Sequence, residues 1–291
     1  MEHNEQWKAW KERGDRNWAR MWETYRSEGL EPVNLWRDGA PGYRPEYGQP
    51  QPRLLLLPVH TDRPRGTVIV CAGGAFEIKS DYEARPVAAF FHDRGFNAAV
   101  LDYRLRPYSR DDAAADGKRA VRWLRFHAGE LGILPDRIAI GGFSAGGMLA
   151  GDVATLFDAG NPDASCPVDR VSSRPDAALI WYGAFSPTSA DSGMGYDPEK
   201  QRELARHDMV RNLRPDCPPF FVFQTHSDDP RLSMRLGSAL ADFGIPFEVH
   251  TFQDGPHGGG LYNGADSNGF DFPHTARWAG LCAEWLEGCG F

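Results

Sequence analysis

The chain has 291 residues, 41% hydrophobic and 25% charged, with a formal net charge of −8, the profile of a water-soluble globular protein rather than a disordered or fibrous one. An acidic balance, with a pI near 5.6, excludes nucleic acid as the expected partner, because binding a phosphate backbone relies on clustered Lys and Arg. No apolar run approaches the ~20 residues needed to span a bilayer and residues 1–17 lack the apolar core of a signal peptide, so a cytoplasmic protein without a membrane partner is expected.

Trp7, Trp10, Trp18, Met21, Trp22 and Tyr25 fall within an arc of roughly 120° when each residue turns by about 100°. Residues 7–25 are therefore predicted to form an amphipathic helix, weakened at Gly14. Its aromatic stripe is expected to pack on the body of the protein; a contact between copies, giving a homo-oligomer, and a platform for stacking sugars are the alternatives. Residues 34–52, dense in Gly and Pro, read as an irregular loop. Residues 1–52 are thus an arm and loop, and residues 53–291 a single domain.

From residue 53 the pattern alternates between strands and helices. Strands are predicted at 54–59, antiparallel at the sheet edge, and at 67–72, 97–103, 137–141, 177–182, 220–224 and 247–252. Helices are predicted at 82–94, 111–131, 145–156, 232–243 and 273–286. Such alternation calls for an α/β fold with a mostly parallel central sheet covered by helices on both faces. The five cysteines are odd in number, scattered and without C-x-x-C spacing, which points to free thiols rather than to disulfides or a zinc site.

Gly142-Phe143-Ser144-Ala145-Gly146 matches the G-x-S-x-G nucleophile elbow and falls between a predicted strand and a predicted helix, where that motif belongs. There the serine is held in a strained turn, and residues without a β-carbon let the neighbouring backbone close in. A serine hydroxyl needs a base, and in this arrangement the chain order is serine, acid, histidine. Of nine histidines, His257 fits, in a glycine-rich loop just after the strand 247–252; His226, His250 and His274 are worse placed. The acid belongs after the strand 220–224, where Asp228 and Asp229 stand side by side. Counting from the strand end favours Asp228, and counting back from the Asp-Pro step and the helix beyond it favours Asp229; we take Asp229, with Asp228 as the alternative. The other aspartate is expected to be solvated or to cap a turn. Gly73 and Gly74, after the strand 67–72, together with Ala145, are the expected backbone donors of an oxyanion hole.

These segments, with Asp102-Tyr103-Arg104-Leu105-Arg106-Pro107, Asp228-Asp229-Pro230 and Gly255-Pro256-His257-Gly258, resemble the acetylxylan-esterase-like branch of the α/β hydrolases, kin to the hormone-sensitive-lipase and dienelactone-hydrolase groups. The likeness runs from about Asn34 to the end. It implies an α/β-hydrolase fold and a serine acetyl esterase acting on acetylated sugars, including oligosaccharides, or on related small esters. Two departures stand out. Ala75 replaces the third glycine usual in the oxyanion loop, which is tolerable if that position does not need positive φ, and the acid loop is one residue longer.

In the expected chemistry Ser144 attacks an acyl carbon, His257 takes the proton, and water later releases the acyl group; neither metal nor organic cofactor is required. Phe76, Tyr108, Trp181, Tyr182 and Tyr262 are the candidate pocket walls, and the segment 185–214, with a helix near 198–210, is a candidate partial lid. Asp102 and Arg104 read as structural ion-pairing residues beneath the active-site loops. A general carboxylesterase, a serine peptidase on the same fold, and a hydrolase-like binding protein without catalysis are the competing readings.

Overall fold

The computed structural model describes residues 2–59, 65–184, 202 and 205–291. One sheet of eight strands carries the fold, in the order β1-β2-β4-β3-β5-β6-β7-β8. The strands are β1 (Val33–Asn34), β2 (Arg53–Leu57), β3 (Thr67–Cys71), β4 (Asn97–Asp102), β5 (Ile138–Phe143), β6 (Ala177–Trp181), β7 (Phe220–Thr225) and β8 (Phe247–Phe252). The pairs β1·β2 and β2·β4 are antiparallel, and all the others are parallel.

The reason β3 lies inside is written in its residues. Thr-Val-Ile-Val-Cys is buried throughout, and a short strand apolar on both sides is stable only with helices over both faces. Val68 and Val70 enter one core layer; Ile69 and Cys71 enter the other. The described helices are α1 (Glu2–Ser27), α2 (Arg85–His92), α3 (Arg110–Phe126), α4 (Ala128–Leu131), α5 (Ala145–Thr155), α6 (Met209–Asn212), α7 (Arg231–Asp242) and α8 (Trp278–Gly288). Apolar residues of α1, α2 and α8 fill the first layer, and those of α3, α5 and α7 the second.

Several boundaries differ from expectation for local reasons. Strand β5 runs on through Gly142 and Phe143 because these pair with Ile180 and Trp181 of β6, so the strand leads straight into the elbow. β2 is not the edge, since β1 lies outside it. The helix expected at 82–94 is a 3-10 turn, Asp81–Glu83, followed by α2 with Pro86 in its first turn. α3 opens on a capping box in which Ser109 and Asp112 satisfy each other's backbone N–H. Most of the expected lid, and the first part of its helix, lies outside the described residues; α6 is the described helix within it.

The aromatic stripe of α1 packs on the body. Trp18, Met21, Trp22 and Tyr25 are buried, while Trp7 stays 43% exposed. Trp18 Nε1 donates to Asp102 Oδ1 at 3.0 Å, and the Arg53 guanidinium lies 4.3 Å from the centroid of the Trp22 ring. The buried Asp102 also accepts from Lys79 Nζ at 2.5 Å and Arg53 Nε at 2.8 Å. Burial would raise its pKa, but the two cations hold the carboxyl below its ordinary range. Arg104 belongs to a separate pair, with Asp116 at 2.7 Å. Both are structural ion pairs, as expected, but they do not meet each other. Asp102→Ala leaves the Lys79 ammonium buried without a carboxylate, and the expected cost is about 3–5 kcal/mol. Urea denaturation measures it, and an unchanged midpoint would contradict the role given to this cluster. Among the described residues no helix is long and apolar enough to cross a membrane.

Candidate active site

Ser144 stands between β5 and α5 with φ 52° and ψ −117°, a conformation that L-residues with side chains avoid and that costs about 1–3 kcal/mol. What holds it there is the closeness of the chain around it. A β-carbon on Gly146 would run into the carbonyl oxygens of Cys71 and Ala72, so only glycine lets α5 pass so near β3. The Ser144 N–H donates to the Trp181 carbonyl at 3.0 Å, and the hydroxyl is aimed away from the core.

His257 Nε2 lies 2.9 Å from Ser144 Oγ, and His257 Nδ1 lies 2.7 Å from Asp228 Oδ2. Three loops at the carboxyl ends of β5, β7 and β8 thus meet in one hydrogen-bonded line. Burial alone would lower the His257 pKa. The hydrogen bond and charge of Asp228, followed by the charge of Glu83, outweigh that effect and hold it above the ordinary imidazole value.

The carboxylate that faces His257 is therefore Asp228, not the expected Asp229. Asp229 turns outward and folds back on the start of α7: its carboxylate accepts from the Arg231 backbone N–H at 3.0 Å and from the guanidinium at 2.7–3.0 Å. An aspartate two residues ahead of an N–H at a helix start finds its acceptor role locally. That leaves Asp228, one step nearer the strand, to face the imidazole.

The oxyanion loop requires a second correction. The Gly73 N–H is already taken by the buried Glu83, at 2.8 Å from Oε2, so it has no hydrogen to offer a reacting carbonyl. Among the described residues no acceptor takes the Gly74 N–H or the Ala145 N–H. Gly74 carries φ 134°, and Ala145 opens α5, where the first N–H has no partner within the helix. Ala75 and Phe76 follow with φ 56° and 58°. The condition attached to Ala75 is thus not met: an alanine occupies a left-handed position that a glycine would hold without strain.

Glu83 was not singled out from the sequence, yet it ties the site together. Its second oxygen accepts from the Tyr182 hydroxyl at 2.5 Å, and the Tyr182 oxygen accepts from the Gly260 N–H at 2.9 Å in the histidine loop. Burial pushes the Glu83 carboxyl up; the Tyr182 hydroxyl, the Gly73 N–H and the His257 charge oppose that. A signal was available: Glu83, Val87 and Phe91 fall at i, i+4 and i+8, so a carboxylate occupies the apolar stripe of the predicted helix.

The candidate pocket residues divide. Phe76 is half-buried, and the Arg110 guanidinium lies 5.8 Å from its ring centroid. Tyr108 bonds both the N–H and the carbonyl of Arg44, so it clamps the lead-in loop. Trp181 is fully buried among Phe91, Phe143 and Trp278, and belongs to the core. Tyr182 and Tyr262 are buried too. They brace the histidine loop, Tyr182 with its ring centroid 5.0 Å from that of His257 and Tyr262 by donating to the Pro256 carbonyl at 2.7 Å. Alternation could not separate Trp181 from Tyr182, because β6 is buried on both faces and the two residues stand at its end.

Comparisons with known proteins fit this geometry. Residues 55–240 match the BD-FAE family. The crystal structure of an acetyl ester-xyloside bifunctional hydrolase from Caldicellulosiruptor lactoaceticus is similar with a TM-score of 0.79 and 30% identity, over 90% of this chain and 97% of that one. Endo-1,4-beta-xylanase B of Butyrivibrio fibrisolvens is 30% identical over 241 residues, which is 77% of this chain and 37% of that protein. Esterase LipI of Mycobacterium tuberculosis is 29% identical over 71% of this chain and 69% of its own length. The chain spans little more than a third of the xylanase it matches. With the family match covering well over half of the chain, the protein belongs to the BD-FAE family, in the esterase branch of the α/β hydrolases.

Proposed function

We propose that the protein is a serine carboxylic-ester hydrolase that removes acetyl groups from acetylated sugars or from small acetyl esters, with Ser144, His257 and Asp228 as its triad. The observation that carries this reading is the unbroken line from Ser144 Oγ through His257 to Asp228, at 2.9 and 2.7 Å. Ser144 Oγ attacks the acyl carbon as His257 Nε2 takes its proton. The carbonyl oxygen, now negative, rests on the Gly74 and Ala145 N–H groups. His257 returns the proton to the departing alkoxide, leaving an acetylated serine, and water activated by the same imidazole releases acetate. Asp228 keeps the Nδ1 proton in place and stabilises the charged imidazolium. The acetyl and sugar preference is supported by the acetyl ester-xyloside hydrolase and the xylanase among the relatives.

The test is acetate release across acetylated xylo-oligosaccharides, simple acetyl esters and esters of longer acyl chains. Acetyl substrates are expected to give the highest kcat/KM. Faster turnover of long acyl chains, or of peptides, would overturn the acetyl assignment. Failure of a fluorophosphonate to label Ser144 would overturn the catalytic one.

The pH profile supplies a further prediction. The imidazole must be neutral to act as base, so kcat/KM falls as pH drops through the His257 pKa, expected above the ordinary imidazole value. Glu83→Gln removes one of the negative charges that raise it, so the acid limb moves to lower pH. A limb that stays in place would show that the imidazole does not feel this carboxylate.

A further inference from the structure

Beside the histidine loop lies a cleft of about 370 Å³, at the lower end of the ~300–1,000 Å³ common for small-molecule sites. One wall is the flank of α1 next to its buried stripe, with Asn17, Arg20 and Thr24 at i, i+3 and i+7. The opposite wall holds Asp81 and Tyr82 of the 3-10 turn, and Asp266 and Asn268 of the loop after the histidine.

Two observations join this cleft to the reacting centre. First, α1 lies against the oxyanion loop: Lys11 Nζ donates to the Glu77 carbonyl at 2.9 Å, and a β-carbon on Gly14 would stand 2.5 Å from Ile78 Cδ1. Second, Tyr82 is shared. Its side chain lines the cleft and also covers the histidine loop, 3.7 Å from where a β-carbon on Gly258 would stand and 3.3 Å from one on Gly260. Tyr82 therefore stands between the cleft and the histidine loop, in contact with the residue next to His257.

Its chemistry selects the ligand. Asp81 and Asp266 supply carboxylates, Arg20 and Arg85 guanidiniums, that of Arg85 paired with Glu28, and amides at Asn17 and Asn268 stand among them. Such a lining offers donors and acceptors side by side without a net charge to attract an anion, with Met21, Pro86 and Ala265 supplying apolar surface between them. Among the described residues the side chains of Asn17, Arg20, Asp81 and Asn268 make no hydrogen bond to the protein and face solvent, where a ligand can take the place of water. Neutral polyhydroxyl compounds pair with both kinds of group at once.

We infer that this cleft is a glycosyl subsite that holds the sugar part of the ester while the acyl carbon sits at Ser144, an inference that rests on the acetylated-sugar reading above. It assigns the arm a task beyond packing: the buried stripe fixes α1 in place, and its polar flank completes the binding surface.

The test uses the full chain with two surface changes on α1, Asn17→Ala and Arg20→Ala, which keep good helix formers in a helix. Losing two direct hydrogen bonds to the sugar is expected to lower the ratio of kcat/KM on acetylated xylotriose to that on p-nitrophenyl acetate about tenfold. Asp81→Asn, from the other wall, should move the same ratio in the same direction. Ratios held within about twofold in all of these would overturn the subsite. A binding measurement separates this failure from failure of the acetyl reading. Plain xylotriose is expected to bind the Ser144→Ala protein saturably, about tenfold more weakly once Asn17 and Arg20 are replaced. If the wild-type chain releases no acetate from any acetylated sugar, the proposed reaction falls. The subsite then stands on residue-dependent binding of xylotriose, and is overturned if xylotriose does not bind.

Discussion

Ser144→Ala is expected to lower kcat on p-nitrophenyl acetate by about 10⁶-fold, and His257→Ala by a similar factor. The two groups act as one device, since the hydroxyl is a poor nucleophile without the imidazole 2.9 Å away and the imidazole has nothing to activate without the hydroxyl. The double variant should therefore be little slower than either single one. Residual turnover of about 10³–10⁴ over water is expected from the oxyanion donors and from binding alone. Stopped assays with active-site titration check both points. Wild-type turnover in Ser144→Ala would end the serine mechanism, and multiplicative losses in the double variant would mean that the two residues work separately.

Asp228→Asn and Asp229→Asn differ by one position and are expected to differ by about four orders of magnitude. An amide at 228 presents a donor as well as an acceptor to His257 Nδ1, so the imidazole can adopt the tautomer with its proton on the wrong nitrogen, and kcat is expected to fall about 10⁴-fold. At 229 the carboxylate's one side-chain partner among the described residues is Arg231, whose hydrogen bond and charge keep its pKa below the ordinary value. That exposed pair contributes little, and the Asp229→Asn rate should stay within about twofold of wild type. Steady-state kinetics of the two proteins decide the matter, and the reverse ranking would restore Asp229.

The order of serine, acid and histidine was legible in the sequence because each sits where a recognisable strand ends, and the glycines around Ser144 mark the place where α5 passes close to β3. What the sequence left open turned on single hydrogen bonds. Whether Asp228 or Asp229 faces the imidazole depends on the pull of Arg231, two residues past one of them and three past the other. Gly73 looks like a donor until Glu83 is found beneath it. Trp181 and Tyr182 are adjacent and both fully buried, yet one fills the core and the other bridges a carboxylate to the histidine loop. Local patterns carry strand and helix identity well, since burial periodicity is repeated over many residues; they carry little about which polar atom meets which.

Ala75, Phe76, Ser144, Tyr182 and Tyr262 all hold positive φ, and all belong to the loops or strand ends that build the site. Each such residue stores about 1–3 kcal/mol, against a net folding stability of only ~5–15 kcal/mol for a typical domain. Among the described residues this strain is concentrated around Ser144 and His257, with Asn268 the one further non-glycine position of positive φ. Selection for heat tolerance would find its cheapest gains there, by letting those turns slacken, and would surrender turnover in the same step.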